Sequence, residues 1–206
     1  MKISVVMASY LGNYPRGAKN RVNKFIRAVN SFLAQEYQNK ELIIISDGCD
    51  ITENIYNEYF INYDNIIFEK IKKDVLFGGK TRNKGIELSS GDWICYLDTD
   101  DFLSSNHLKK ISEQISEEFD WYFSDDYLIT EYIDNSNFKY KTRKNIIRPH
   151  KIGTSSIVHR NNLNIYWGNG YGHDWKFIKK LMENSKRVKK IIAGYYVCHI
   201  PNLIDF

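Results

Sequence analysis

The chain has 206 residues, 43% of them hydrophobic and 26% charged, with 29 Lys+Arg against 25 Asp+Glu. This is ordinary composition for one soluble globular domain and excludes a disordered or low-complexity chain. Three scattered cysteines, Cys49, Cys95 and Cys198, exclude a disulfide framework or a cysteine metal site, and no apolar run approaches the roughly 18 residues of a membrane span.

The chain enters directly on an apolar segment, Ile3–Ala8, that reads as a strand and is too short for a secretory signal. With cysteines unpaired, a cytoplasmic setting is expected. Asn20–Gln35 carries Val22, Phe25, Ile26, Val29, Phe32 and Leu33 at helical spacing. Glu41–Ser46 is an isoleucine-rich strand, Ile51–Phe60 a helix and Ile66–Ile71 a third strand. Gly79–Leu88 reads as a helix stopped by Ser89-Ser90-Gly91, and Asp92–Leu97 as the fourth strand. Ser104–Glu118 is the next helix, with Ser104 or Ser105 as its N-cap. This alternation predicts an α/β domain with a mostly parallel sheet covered on both faces.

The remainder is less regular. Trp121–Phe123, Tyr127–Tyr132 and Asn137–Arg143 read as strands, and the polar, basic stretch Asn135–Pro149 as a mobile loop. Thr154–His159 is expected to be a strand, Asp174–Met182 a helix and Val188–His199 a last strand. Charge is unevenly spread: residues 51–135 hold 8 Lys+Arg against 18 Asp+Glu, residues 136–206 hold 14 against 3. The basic third points to an anionic partner: a phosphorylated substrate, an acidic polymer such as a charged acceptor, or a membrane surface touched peripherally. The alternative is a solvated helix face, since several of these lysines fall between Lys176 and Lys190. No P-loop and no dinucleotide glycine fingerprint is present, and Gly78-Gly79 is too little for a phosphate cradle.

The richest feature is the fourth strand running into Asp98-Thr99-Asp100-Asp101. Three carboxylates crowd the end of a buried strand, where open α/β sheets bind ligands. Such crowding is costly unless a cation spreads the charge, and a hard divalent ion with phosphate ligands suits it. A solvated turn with Asp101 capping the next helix is the plainer alternative.

Four further stations accompany it: Val5-Val6-Met7-Ala8-Ser9-Tyr10, Ile44-Ile45-Ser46-Asp47-Gly48, Lys80-Thr81-Arg82-Asn83 and Gly172-His173-Asp174-Trp175. In this order and spacing the chain resembles the family 2 glycosyltransferases of GT-A fold. The resemblance is strong over residues 1–103 and thinner beyond. It implies a Rossmann-like sheet in one domain, with residues 1–103 as a nucleotide-sugar-binding half and 104–206 as a mixed acceptor-side half.

The resemblance implies roles for individual residues. Ala8, Tyr10, Asp47, Arg82, Asp98 and Thr99 would line the nucleotide-sugar site. Tyr10 would stack near the base, Asp47 would accept a hydrogen bond from uracil, and Arg82 would reach the nucleotide. Asp98 and Asp100, with His199, would hold Mn2+ or Mg2+, and Asp101 would support them. Asp174 would be the catalytic base. The implied activity is inverting transfer of one sugar from a UDP-sugar to a hydroxyl of a glycan or lipid-linked acceptor, with no nucleic-acid partner.

Plainer roles stay open for each residue: Asp47 as a helix cap, Arg82 as a surface residue, Asp174 as a helix-dipole carboxylate and His199 as a buried histidine. Departures from the family pattern are Ala8 in place of a common Thr, His173 in place of Glu, and no Gln-x-x-Arg-Trp motif. A nucleotide-sugar-binding protein without catalysis and a nucleotidyltransferase are the competing classes. A haloacid-type phosphatase is disfavoured, because its nucleophile follows the first strand, not the fourth.

Overall fold

The computed structural model describes residues 1–73, 79–170, 172–185 and 187–206; Gly78 and Tyr171 lie outside the described residues. The elements in the first half are β1 (Ile3–Ser9), α1 (Arg21–Leu33), β2 (Lys40–Asp47), α2 (Asp50–Tyr59), β3 (Ile66–Ile71), α3 (Gly79–Leu88) and β4 (Trp93–Tyr96). They follow the predicted alternation, because the strand segments are continuous apolar runs and the helical ones have a single apolar stripe.

Next come β5 (Phe102–Leu103), α4 (His107–Gln114), β6 (Trp121–Ser124), β7 (Asp126–Asp134) and β8 (Asn137–Arg143). A 3-10 turn at Thr154–Ser156 leads into β9 (Ile157–Arg160). The chain closes with α5 (His173–Asn184), β10 (Val188–Ile191), β11 (Tyr195–Val197), β12 (His199–Ile200) and β13 (Ile204–Asp205).

The main sheet has seven strands in the order β10-β6-β9-β4-β1-β2-β3. Its pairs are parallel except where β9 runs antiparallel to β4 and β6. Both faces are buried, so neighbours in a strand serve opposite cores. Val5, Met7, Trp93 and Cys95 join α1 in one cluster, while Val6, Ile94 and Tyr96 join α3 and α5 in the other. Gly85 lets α3 lie close on β1, since a Cβ there would collide with Val6 Cγ1. Strands β2 and β3 extend from one side of β1 and β4 lies on the other. That reversal opens a crevice at the carboxyl ends of β1 and β4. A smaller sheet, β5-β11-β7-β8, and the β12–β13 hairpin complete the fold.

Four expectations need correction. Helix α4 is shorter than Ser104–Glu118, and neither Ser104 nor Ser105 caps it; it follows Asn106 without a side-chain cap. Instead the Leu108 N–H donates to Gln35 Oε1 at 3.0 Å, so a distant side chain supplies the cap. The expected strand Val188–His199 is broken into three, in three different sheets. Gly194 is the break point: its carbonyl accepts the Ser104 N–H at 2.7 Å, and a Cβ there would collide with Ser104. Thr154–Ser156 is a 3-10 turn and not the start of the strand. The proposed loop Asn135–Pro149 is half strand, because β8 pairs with β7 along its length.

Candidate active site

The ends of β1, β2 and β3 bring Tyr10, Asp47 and Lys73 together. Gly48, at φ 62°, turns the chain after Asp47, and an added Cβ would sit 2.7 Å from Lys73 N. Glycine therefore lets the ends of β2 and β3 close on each other. Lys73 Nζ lies 2.7 Å from Asp47 Oδ2 and 3.5 Å from the Tyr10 ring centroid. Asp47 is buried and does not cap α2. At that helix start Ser46 Oγ accepts the Cys49 N–H at 3.1 Å. Ala8 sits next to the end of β1, paired with Ile45.

On the other side of the crevice, Asp98, Thr99, Asp100 and Asp101 turn sharply after β4. Their supports grip mainly the backbone. The Asp98 N–H donates to the Tyr195 hydroxyl at 3.0 Å, and Arg27 Nη2 donates to the Asp100 carbonyl at 2.8 Å. Asp101 is 5% exposed and its Oδ1 accepts the Cys198 N–H at 2.8 Å. Thr99 is buried within the turn. Burial pushes the Asp100 carboxyl up, and the charge of Asp98 adds to this. Asp101 is pushed well above the usual range by burial and then by Asp100 and Asp98. The phenol of Tyr14, from the loop after β1, is raised by burial and also feels Asp100 and Asp98.

Arg82, on α3, spans from this turn to the start of α5. Its Nη2 donates to Asp98 Oδ1 at 3.0 Å, and its Nη1 lies 3.4 Å from His173 Nε2. Its guanidinium sits 5.1 Å from the Trp167 ring. His173 Nε2 is in turn 3.2 Å from Asp174 Oδ1. Asp174 lies in the first turn of α5 and accepts a hydrogen bond from the Thr154 hydroxyl. Burial pushes its carboxyl up, but the hydrogen bond from His173, the charge of Arg82 and the Thr154 hydroxyl outweigh this and hold it at about 2. It is therefore a carboxylate at neutral pH, the state a proton acceptor needs.

Tyr10, Asp47 and Lys73 thus form one group of contacts and Asp98, Arg82, His173 and Asp174 another, linked by Tyr14, whose ring lies 6.3 Å from that of Tyr10 and whose phenol feels Asp100 and Asp98. His199 stands somewhat apart. Its Nε2 lies 3.1 Å from the Arg16 carbonyl and its Nδ1 3.3 Å from Asp205 Oδ1, although its charge still reaches Asp100. Lys73, Arg27, Tyr195 and Thr154 were not foreseen. Lys73 could have been found as the cation just past a parallel strand, whereas Arg27 looks like any arginine in an amphipathic helix.

Among the described residues, no group of three or more His, Cys, Asp or Glu side chains is arranged to hold a metal. The donor chemistry nevertheless fits a hard cation. Mg2+ and similar ions bind through one or two carboxylates and keep waters and substrate phosphates as their other ligands. Asp98 and Asp100 supply carboxylates of that kind, and the raised Asp100 carboxyl is one that a cation would relieve.

Comparison with known proteins follows the same lines. The profile described as glycosyl transferase family 2 matches residues 18–167. An uncharacterized glycosyltransferase of Rickettsia bellii is 35% identical over 125 residues, 60% of this chain and 16% of that protein. The amylovoran biosynthesis glycosyltransferase AmsB of Erwinia amylovora is 29% identical over 104 residues, 48% of this chain and 33% of that protein. The chain therefore spans well under half the length of these relatives. The crystal structure of S. aureus TarS 1-349 in complex with UDP superposes with a TM-score of 0.75 at 22% identity, covering 96% of this chain and 60% of TarS 1-349. TarS 1-349 is also known in complex with UDP-GlcNAc. At this identity the likeness shows a shared fold, the expected GT-A arrangement.

Proposed function

This chain belongs to glycosyl transferase family 2, and from that membership we propose that it transfers a single sugar from a UDP-sugar to a hydroxyl of a glycan or lipid-linked acceptor, with inversion and with Mn2+ or Mg2+. The observation that carries this reading is the Asp98–Arg82–His173–Asp174 chain of contacts, with the Tyr10–Lys73–Asp47 group at the carboxyl edge of the same sheet. UDP as the nucleotide is supported by the TarS complexes. A role in polysaccharide assembly is supported by the name of AmsB.

Tyr10 stacks on the base and Asp47 accepts an N–H of uracil, once Lys73 has swung off both. Thr99 and Ala8 border the nucleotide, and Arg82 contacts the diphosphate. Asp98 and Asp100 would hold the cation, with His199 as a further ligand and Asp101 behind them. A divalent cation there would neutralise charge on the departing diphosphate. Asp174 takes the proton of the acceptor hydroxyl. The acceptor oxygen then bonds to the anomeric carbon from the face opposite the diphosphate, whose carbon–oxygen bond breaks as UDP leaves. The reading places the protein in the cytoplasm, with its basic C-terminal third against the inner membrane face or an anionic acceptor. Among the described residues no helix is long and apolar enough to cross a membrane.

The test is UDP release from a panel of UDP-sugars with Mn2+ or Mg2+, with and without cell-envelope lipid and oligosaccharide acceptors. NMR of the product then gives its anomeric configuration. Donor binding with no transfer to any acceptor would favour a binding protein without catalysis. Failure to bind any UDP-sugar would remove the reading altogether.

A further inference from the structure

Helix α1 carries a polar stripe that belongs to neither group of contacts at the candidate active site. Asn20, Asn23, Arg27 and Asn30 recur at three- and four-residue steps, so they share one face. With Tyr132 from β7 and Asn135 from the turn into β8 they line a groove of about 410 Å3. Asn20 holds the left-handed conformation at φ 50°, and its side chain does not cap the helix it precedes. Asn23 and Asn30 are exposed on the helix, where asparagine is a weaker helix former than alanine. Among the described residues, none of these three side-chain amides bonds another protein group. Asn135 accepts the Tyr132 hydroxyl at 2.6 Å through Oδ1, which leaves its amide nitrogen to donate. Arg27 is only 9% exposed; its Nη2 donates to the Asp100 carbonyl at 2.8 Å, while its Nε is buried and has no hydrogen-bond partner. A buried donor in that state calls for an acceptor that the chain itself does not supply.

We propose that this groove is a binding site for a neutral oligosaccharide, separate from the UDP-sugar site. The free lining groups are amides, each of which both donates and accepts. A sugar hydroxyl does the same, and two adjacent hydroxyls on one ring can meet both ends of a planar amide. Lys24, the other cation of the groove, is already paired with Asp205. An anionic ligand would find that charge taken and would leave the amide oxygens without donors. A purely apolar ligand would strand every amide. Peptide recognition relies on a sheet edge or on apolar pockets for side chains, which a helix face of amides does not offer. The apolar part of the lining is Ile26, Phe206 and the Tyr132 ring, which suits the C–H faces of sugar rings. Arg27 joins the groove to the acidic turn, because the guanidinium that lines the one grips the Asp100 carbonyl of the other. Where the chain transfers sugar, a long acceptor held at this second point has a raised local concentration. That use alone rests on the transfer reading; the binding site does not.

The test is NMR of the asparagine side-chain amides in the isotope-labelled chain, without UDP or metal. The probes are maltotriose, cellotriose, mannotriose and tri-N-acetylchitotriose at millimolar concentration, with inorganic phosphate and a mixed tetrapeptide pool beside them. At least one trisaccharide should shift the amide resonances that Asn23→Ala and Asn30→Ala remove. Each single variant should weaken that glycan by about 2–10-fold, as one neutral hydrogen bond is lost. The double variant should lose the shifts of the remaining groove amides, Asn20 and Asn135. Both substitutions replace an exposed helical asparagine by a better helix former, so the variants should be at least as stable as the wild type in thermal unfolding. Their affinity for UDP with metal should be unchanged. No shift with any trisaccharide, equal glycan binding by wild type and double variant, or shifts with phosphate or peptide alone would overturn the glycan site. Each of those results leaves sugar transfer standing, and failure to bind UDP-sugars would leave the groove's own test intact.

Discussion

Lys73 offers a sharp test of the nucleotide site, because it fills the place that a base would need. Its ammonium is 2.7 Å from Asp47 and 3.5 Å from the centre of the Tyr10 ring. A base that stacks on Tyr10 and hydrogen-bonds Asp47 must first displace it from both. The lysine side chain is 44% exposed, so its ion pair is a surface one. Such a pair contributes about 0.2–1 kcal/mol, and an exposed cation–π contact about 0.5–1 kcal/mol. The displacement therefore costs about 1–2 kcal/mol, a factor of about 5–30 in affinity. Lys73→Met keeps the aliphatic bulk and removes the charge, so it should bind UDP about 5–30-fold more tightly than the wild type. Titration calorimetry with UDP at fixed metal concentration measures this directly. Unchanged or weaker binding by Lys73→Met would refute the reasoning, since the ammonium would then be helping to hold the nucleotide.

Other expectations follow from the same geometry. Asp100→Ala should lose most metal-dependent UDP affinity yet remain folded, since a raised carboxyl in an acidic cluster contributes little to the protein alone; equal calorimetric titrations with Mn2+ would count against it. Asp47→Ala should narrow the preference for UDP over ADP and CDP, measured by competition binding. Asp174→Asn should retain donor binding while transfer falls by roughly two to four orders of magnitude, and near wild-type turnover would place the base elsewhere. Buried His159 bonds the Tyr96 hydroxyl at 2.7 Å and burial holds its pKa down at about 4. Its folded pKa lies below the unfolded value of about 6.5, so it contributes stability above that pH and loses it as pH falls toward about 4. Wild type should therefore lose stability relative to His159→Gln between about pH 7 and pH 5 in urea unfolding, and parallel curves would contradict the buried neutral state.

The first half of the fold is legible because each of its elements is governed by its own residues. Ile66–Ile71 and Gly79–Leu88 have the bounds their sequence predicts, since apolar runs and a single helical stripe carry the signal locally. Failures occur where a distant residue decides. Helix α4 draws its cap from Gln35, and the strand after Val188 breaks because Gly194 must pass close to Ser104. Legibility at the site divides in the same way. Tyr10, Asp47 and Asp98 follow parallel strands, and a parallel sheet places those ends on one edge whatever the details. The contact of Arg82 with His173 joins positions 91 residues apart. It depends on how α5 packs, which no local pattern encodes.

The acidic turn after β4 shows how the fold holds a costly arrangement in place. Like charges this close would normally be relieved by pairing each with a cation, yet the hydrogen bonds on this turn go mostly to the main chain. Arg27 holds the Asp100 carbonyl and Tyr195 takes the Asp98 N–H, while the carboxyl of Asp101, the most deeply buried of the three, accepts the Cys198 N–H. Arg82 offsets Asp98 at 3.0 Å, but through a side chain that can turn to a phosphate. Gripping the backbone fixes where the carboxylates point without cancelling their charge. The turn keeps its geometry and leaves Asp100 with a raised carboxyl, which favours whatever brings positive charge. That is preorganisation: the folded chain carries the electrostatic cost in advance, so a ligand is bound by relieving it. Because Arg27 comes from α1 and Tyr195 from the smaller sheet, the two layers of the fold meet at this turn. Their packing, more than the acidic motif itself, sets its shape.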